Sequence, residues 1–182
     1  LEDNIVLGEV ESADDGTVHP DAVNRFARQV HEKYPNKRLI IHYFQPHAPV
    51  CGNADGTPRE EINHDLHPGA IRESKVSREQ VWQAYVENLQ YVYHHASSLA
   101  EELGGRSVFT ADHGELFGEW MLPFPIRGYM HPSGVRHPKL TTVPWAVKEH
   151  GPRRDVEVGS VSSVETDSET VDSRLRDLGY KV

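Results

Sequence analysis

This chain of 182 residues has a single cysteine and no long apolar run. The single cysteine, Cys51, excludes an intrachain disulfide and any metal site built from four thiolates. No stretch approaches the roughly 18 consecutive apolar residues of a membrane-spanning helix, and the first residues lack the basic and apolar regions of a signal peptide. A hydrophobic content of 37% is nevertheless too high for a disordered chain. We therefore expect a soluble globular protein with no membrane span, located in the cytoplasm.

Basic residues, and lysine above all, are also scarce. The chain has 28 acidic and 19 basic residues, for a net charge of −9, and only 6 of the basic residues are lysine. Duplex nucleic acid requires a dense basic surface, so nucleic acid is not an expected partner. An acidic, lysine-poor surface suits a cytoplasm of high salt concentration, where repulsion between charges is screened, and we expect a halophilic source.

The order of apolar patterns predicts alternating helices and strands. A helix begins at Pro20, after which apolar residues recur at spacings of three and four. The β-branched and aromatic segment 38–44 predicts a buried strand, and a capping box at Ser77 starts a long helix that a Gly-Gly pair ends. Segment 106–111 predicts a second strand, and 140–147 a third that lies at an edge or a bend because it contains proline. Along the long helix, one apolar stripe is expected to face the rest of the fold: Trp82, Tyr85, Leu89, Val92, Ala96, Leu99 and Leu103.

Helix, strand, long helix and strand is an order typical of α/β proteins. We expect a three-layer α/β fold with a mostly parallel sheet flanked by helices. Residues 1–150 are expected to form this domain, and residues 151–182 a polar linker with a short C-terminal helix. Sites in such sheets lie beyond the carboxyl ends of the strands. The strand predicted at 38–44 ends near His42 and His47, and the strand predicted at 106–111 is followed by Asp112 and His113. We therefore expect these two polar groups at the same edge of the sheet.

A short polar turn, Asp112-His113-Gly114, follows the second strand. Gly114 permits a tight turn in which a carboxylate and an imidazole can converge on one cation. Alternatively, Asp112 caps the following segment and His113 is an ordinary surface residue. The triplet by itself leaves both interpretations open.

The wider context of this turn resembles a known enzyme superfamily. Residues 108–119 read VFTADHGELFGE, and residues 42–49, one helix upstream, read HYFQPHAP. In this order the two motifs resemble the C-terminal portion of the alkaline phosphatase/sulfatase superfamily. Residues 134–145 and 174–180 are similar to later segments of its sulfatase-like members, so the resemblance covers nearly the whole chain from about His19 onward.

The resemblance implies roles for five residues. Asp112 and His113 would be ligands of a catalytic divalent ion, which could be Zn, Mn, Ca or Mg, and an imidazole ligand favours Zn or Mn. His47 would be catalytic and would bind substrate by donating a hydrogen bond to a non-bridging oxygen of the sulfate or phosphate group. His42 is either a second substrate-binding residue or a core histidine. His131 lies where relatives supply a late catalytic His or Lys to the metal or the anion.

Three other histidines are alternatives for these roles. His137 is the second choice for the position given to His131. His64 and His67 lie in the long loop 48–75, and their spacing suits either a metal or a solvated pair.

The chain departs from the superfamily pattern at the nucleophile. The first metal-binding strand of the superfamily, and its Ser, Thr or formylglycine nucleophile, belong to an N-terminal half that has no counterpart here. Cys51 stands in VCGNA, which does not match the C-x-P-x-R maturation motif. We therefore interpret the chain as the C-terminal part of such an enzyme and expect it to be incomplete as a catalyst.

The expected function is metal-dependent hydrolysis of sulfate or phosphate esters, with a small molecule or a glycan carrying the ester. The enzymatic alternative is a phosphoglycerol or phosphoethanolamine transferase of the same superfamily, and the other alternative is a non-catalytic acidic scaffold or binding domain. Absence of the first half would expose a sheet edge and apolar helix faces, so a homo-oligomer is also expected.

Overall fold

The computed structural model describes residues 17–157, which form helices and small antiparallel sheets. The helices in this range are α1 (Pro20–Lys33), α2 (Pro68–Arg72), α3 (Arg78–Leu103) and α4 (Pro138–Thr141). The strands in this range are β1 (Val50–Gly52), β2 (Pro58–Asn63), β3 (Gly105–Phe109), β4 (Leu116–Trp120), β5 (Arg127–Met130) and β6 (Ala146–His150). None of these helices is long and apolar enough to cross a membrane.

The long helix α3 begins and ends at local sequence signals. The Ser77 hydroxyl accepts the Gln80 N–H at 3.2 Å, and Gln80 Oε1 accepts the Ser77 N–H at 2.9 Å, which is the predicted capping box. At the other end Gly104 has a φ of 70°, a conformation that residues with a side chain rarely adopt. The predicted bounds of α3 are confirmed, as is the start of α1 at Pro20.

The strands pair as β1–β2, β3–β6 and β4–β5, and each pair is antiparallel. The mixed α/β class is confirmed, but the predicted mostly parallel, three-layer sheet is absent from residues 17–157. The reason lies in the partner of β3, which is β6 in a register that runs from Gly105 opposite His150 to Phe109 opposite Ala146. An apolar, β-branched run specifies a strand, but it does not specify which other strand pairs with it.

Segment 38–44, predicted as a buried strand, lies outside every helix and sheet of the described structure. Ile40 is 98% exposed. Tyr43 attaches the segment to α1, because its hydroxyl donates to Asn24 Oδ1 at 2.6 Å. Burial raises the pKa of Tyr43 to about 12, against the opposing charge of Arg28. The strand prediction is wrong here because no neighbouring strand of the described chain pairs with the backbone of this segment.

Of the two later strand predictions, one is confirmed and the other is wrong in part. Segment 106–111 corresponds to β3, which ends at Phe109. The third strand, predicted at 140–147, starts only at Ala146, and Leu140 instead belongs to α4. Proline lacks the N–H that a strand ladder requires, so β6 begins after Pro144.

The core lies between α3 and the elements α1, α2, β1 and β4. The predicted apolar stripe of α3 is wrong in part, because Trp82 and Leu89 are 51% and 43% exposed. Trp82 instead stacks on Tyr85 and meets Phe117 edge-on at the surface. The helix carries apolar residues on two faces, and periodicity alone does not decide which face is buried. The buried face carries Val81, Ala84, Asn88, Tyr91, Val92, Leu99 and Ala100.

Residues 151–157 return to the end of α1. The Glu157 N–H donates to the Asn36 carbonyl at 3.0 Å, and the Arg154 guanidinium donates to His31 Nδ1 at 2.8 Å. This part of the predicted linker therefore packs on the fold. The predicted C-terminal helix, and the segment 174–180 that carries part of the resemblance, lie outside the described residues.

Candidate functional site

Three histidines from distant parts of the sequence meet close to the end of β5. The ring centroid of His131 lies 4.3 Å from that of His113 and 5.5 Å from that of His47, and we call these three residues the histidine cluster. Asp112 adjoins them, with its Oδ2 atom 3.7 Å from His113 Nε2. His42 is exposed, and within residues 17–157 it makes no ring contact with the cluster. Four of the five site residues predicted from the sequence are thus close together, and His42 is not among them.

The loop that carries His47 is fixed by one buried amide on α3. Asn88 is 0% exposed, and its Oδ1 accepts the backbone N–H of Cys51 at 3.2 Å. Its Nδ2 donates towards the carbonyls of Pro46, His47 and Pro49 at 3.3 to 3.4 Å. Asn88 therefore holds both sides of the loop. Its role is not visible in the sequence, because the periodicity of α3 marks only apolar positions.

The Asp-His-Gly turn is shaped by close contact with α4. The Asp112 side chain accepts the backbone N–H of His113 at 2.9 Å, and the Gly114 N–H donates to the Leu140 carbonyl at 2.9 Å. A Cβ atom on Gly114 would lie 1.9 Å from the carbonyl oxygen of Lys139. Only glycine fits at this position without a shift of the backbone, so the glycine of the motif is required by packing against α4.

Backbone carbonyls fix the tautomers of two rings in the cluster. His47 Nδ1 lies 2.7 Å from the Ala48 carbonyl, and His113 Nδ1 lies 2.9 Å from the Gly114 carbonyl. A carbonyl oxygen only accepts, so each Nδ1 carries the proton and donates it. In the neutral rings the lone pair is then on Nε2, and in His113 this atom faces the Asp112 carboxylate. A histidine whose other nitrogen donates to a carbonyl is typical of metal ligation.

His131 forms an ion pair with a residue that sequence reasoning missed. Its Nδ1 lies 3.1 Å from Glu115 Oε2, and both side chains are largely buried. The hydrogen bond to Glu115 raises the pKa of His131; burial opposes this, and the charges of Glu115 and Asp112 add to it. His131 thus gains cationic character beside the other two rings. The signal for Glu115 was the fourth letter of the D-H-G-E motif.

A narrow pocket lies behind the cluster. His47, Glu115 and His67 contribute to its wall, and His67 Nδ1 is buried without a hydrogen-bond partner among the described residues. Its volume of about 20 Å³ has room for one water, so it cannot hold the alcohol of an ester. His67 is therefore part of the site's surroundings and not half of a solvated pair. Apolar side chains form much of the remaining wall: Val50, Leu66, Val81, Tyr85, Phe117 and Met130.

The other alternative histidines lie elsewhere. His137 precedes α4 as its N-terminal cap, where Nδ1 accepts the Lys139 N–H at 3.1 Å. This local role accounts for His137 without any ligand. His64 is exposed in the loop after β2.

The donors of the turn match a divalent ion in part. Two donors on one ion, with bonds of about 2.1 Å, lie roughly 3 to 3.5 Å apart, close to the 3.7 Å between His113 Nε2 and Asp112 Oδ2. Within residues 17–157, however, no group of three or more His, Cys, Asp or Glu side chains is arranged to hold a metal. Asp112 and His113 thus suit a shared ion, and the described chain offers at most part of its coordination shell.

Comparison with protein families, with curated proteins and with solved structures finds no match to this chain.

Proposed function

We propose that this chain supplies the metal-binding and anion-binding part of a site that hydrolyses sulfate or phosphate esters. The observation that carries the proposal is the meeting of His47, the Asp112-His113 turn and His131, which lie far apart in the sequence. These are the residues to which the superfamily resemblance assigns roles. An acidic scaffold without chemistry would have no need to bring three imidazoles and two carboxylates together.

The Asp112-His113 turn would hold the divalent ion. Such an ion would activate a nucleophile and neutralise charge on the anionic ester. The packing of Gly114 against α4 keeps the turn in place, and the Gly114 carbonyl orients the His113 ring so that Nε2 is the ring nitrogen turned towards Asp112. These contacts prepare the two donors before any ion is bound.

His131 and His47 would hold the oxygens of the ester. His131 Nδ1 lies 3.1 Å from Glu115 Oε2, and this hydrogen bond favours the protonated ring in the metal-free chain. A protonated ring can also donate from Nε2 to an anion. His47 donates from Nδ1 to a backbone carbonyl, so its Nε2 can donate to substrate only when the ring is protonated.

The nucleophile would come from residues other than those described. Cys51 is fully buried, and its Sγ atom lies 3.3 Å from Gln45 Nε2 and 3.6 Å from Asn88 Oδ1 in the core. A thiol in that position cannot reach a substrate at the cluster. We therefore expect the chain to bind metal and anion but to turn over p-nitrophenyl sulfate and p-nitrophenyl phosphate negligibly.

The test is a calorimetric titration with Zn²⁺ and with Mn²⁺, followed by inorganic sulfate and phosphate. We expect one divalent ion to bind, and anion affinity to increase when it is present. Asp112→Asn should weaken metal binding at least tenfold, whereas Asp155→Asn, at an exposed position away from the cluster, should leave it unchanged.

Two results would overturn different parts of the proposal. Absence of metal binding, or equal binding by Asp112→Asn and the parent chain, would refute it and favour the scaffold alternative. Metal-dependent turnover that disappears in Asp112→Ala would support the function but refute the view that the nucleophile lies elsewhere.

A further inference from the structure

A second, wider cavity lies along the outer part of the β4–β5 hairpin. It is an open depression of the surface, with a free volume of about 500 Å³. Arg78 at the start of α3 lies on one side, and Trp120, Arg127 and Tyr129 of the hairpin lie on the other, with Glu119 between. We call these five residues the aromatic–arginine groove.

A bulge in β4 shapes this groove. The register of β4 against β5 shifts between Phe117 and Glu119, and the extra residue, Gly118, has a φ of 101°. The Tyr129 ring lies over Gly118, where a Cβ atom would be 3.3 Å from Tyr129 Cε1. Beyond the bulge Trp120 pairs directly with Arg127, whose guanidinium lies 3.8 Å from the Trp120 ring centroid.

The charged groups of the groove favour an anion. Arg127 donates to the Gly118 carbonyl at 2.7 Å, and Arg78 donates to the Phe117 carbonyl at 2.9 Å and to Glu119 at 3.4 Å. A guanidinium carries five N–H donors, so these contacts fix the two groups and leave donors on each for a ligand. Two cations against one carboxylate leave a positive balance, on a chain whose net charge is −9. Guanidinium forks match sulfate, phosphate and carboxylate groups.

The aromatic groups favour a ligand that also has flat apolar faces. Trp120 is 51% exposed although Arg127 covers part of its ring, and Tyr129 extends the aromatic surface. An acidic sugar combines the two requirements, because its ring presents C–H faces to an aromatic side chain and its sulfate or carboxylate group binds a guanidinium. A nucleic acid is a poorer fit, because its backbone requires a dense basic surface that this acidic chain does not have.

We propose that the aromatic–arginine groove binds an acidic oligosaccharide. This proposal rests on the proposed function, because Glu115 and His131 lie at the base of the same hairpin. Glu115 and Trp120 are five residues apart, at most about 17 Å in a fully extended strand and less with the bulge at Gly118, a distance that several linked sugars can span. The groove would hold the sugars on one side of the ester, while the histidine cluster holds the ester group itself.

The experiment measures binding of a heparin-derived hexasaccharide and of unsulfated maltohexaose by calorimetry. We expect the sulfated ligand to bind and the neutral one to bind at least tenfold more weakly. Trp120→Ala and Arg127→Ala should each weaken binding of the sulfated ligand by about tenfold. The matched controls, Trp145→Ala and Arg153→Ala, change exposed residues outside the groove and should leave binding unchanged.

Each outcome bears on the groove separately from the cluster. Loss of hexasaccharide binding in the groove variants, with Zn²⁺ binding retained, supports the groove. Equal binding by parent, groove variants and controls would overturn it, as would failure of the parent to bind the hexasaccharide. If Asp112→Asn abolishes metal binding but leaves hexasaccharide binding intact, the two sites are independent; if the parent binds the hexasaccharide but no metal, only the proposed function fails.

Discussion

Replacement of Asn88 by alanine should both destabilise the fold and displace His47. Asn88 is fully buried, its Oδ1 accepts the Cys51 N–H at 3.2 Å, and its Nδ2 donates to three carbonyls of the His47 loop. The change removes the acceptor of a buried N–H and leaves a cavity the size of an amide. No other residue on α3 holds this loop through so many contacts among the described residues.

The expected loss can be worked out from these contacts. A buried group deprived of its hydrogen-bond partner costs about 1 to 3 kcal/mol, and the three long Nδ2 contacts add less than short ones would. The cavity adds part of the cost of a large-to-small core substitution. We therefore expect Asn88→Ala to lower the free energy of unfolding by about 2 to 4 kcal/mol.

Urea unfolding followed by circular dichroism measures this change, and the titration with Zn²⁺ and sulfate reports on His47. The control is Gln90→Ala, which replaces an exposed amide on the same helix and should change stability by less than about 0.5 kcal/mol. Asn88→Asp keeps the acceptor for Cys51 but turns a carboxylate towards carbonyl oxygens, so it should also destabilise. If Asn88→Ala unfolds within 0.5 kcal/mol of the parent and binds sulfate equally well, the assigned role of Asn88 is incorrect.

Four further predictions concern other parts of the molecule. Gly114→Ala should lower the free energy of unfolding by about 1 to 3 kcal/mol and weaken Zn²⁺ binding, because the added Cβ would lie 1.9 Å from the Lys139 carbonyl oxygen. An unchanged urea unfolding curve would contradict this prediction. The pKa of Tyr43 is raised to about 12, so the folded protein keeps a proton that the unfolded chain loses above about pH 10. The free energy of unfolding should therefore fall between about pH 10 and 12. After allowance for the partial exposure of Tyr43, this fall should be about 1 kcal/mol per pH unit at most. Tyr43→Phe should flatten that part of the pH profile. In the metal-free protein, Glu115→Gln should lower the pKa of His131, as measured by NMR titration. The Glu115–His131 pair stabilises the folded protein at low pH, and this stabilisation is lost as the pH rises through the raised pKa of His131. The exposed apolar side chains of segment 38–44 and β6 should cause self-association at micromolar concentration, and a strictly monomeric species in light scattering would argue against it.

Local signals in the sequence determined the two long helices, α1 and α3, but not the short helices α2 and α4. The capping box at Ser77, the glycine at 104 and the proline at 20 each act through residues three or four positions away, so their effect does not depend on the rest of the chain. The Asp112-His113-Gly114 turn is different, because it is held by contacts of Gly114 with Lys139 and Leu140, about 25 residues further along the chain. His113 was nevertheless predicted as a site residue, because the sequence around it resembles the D-H-G-E motif of the superfamily.

Only the tertiary structure determined which segments of the chain contact one another. Segment 38–44 has the composition of a buried strand, yet Ile40 is exposed, because a strand needs a partner that composition does not specify. The roles of Asn88 and Glu115 arise from contacts with residues 16 to 42 positions away. Pairing over such distances is set by packing and burial of the whole fold, so a buried amide facing a loop and a carboxylate facing a late histidine become recognisable only when the chain is folded.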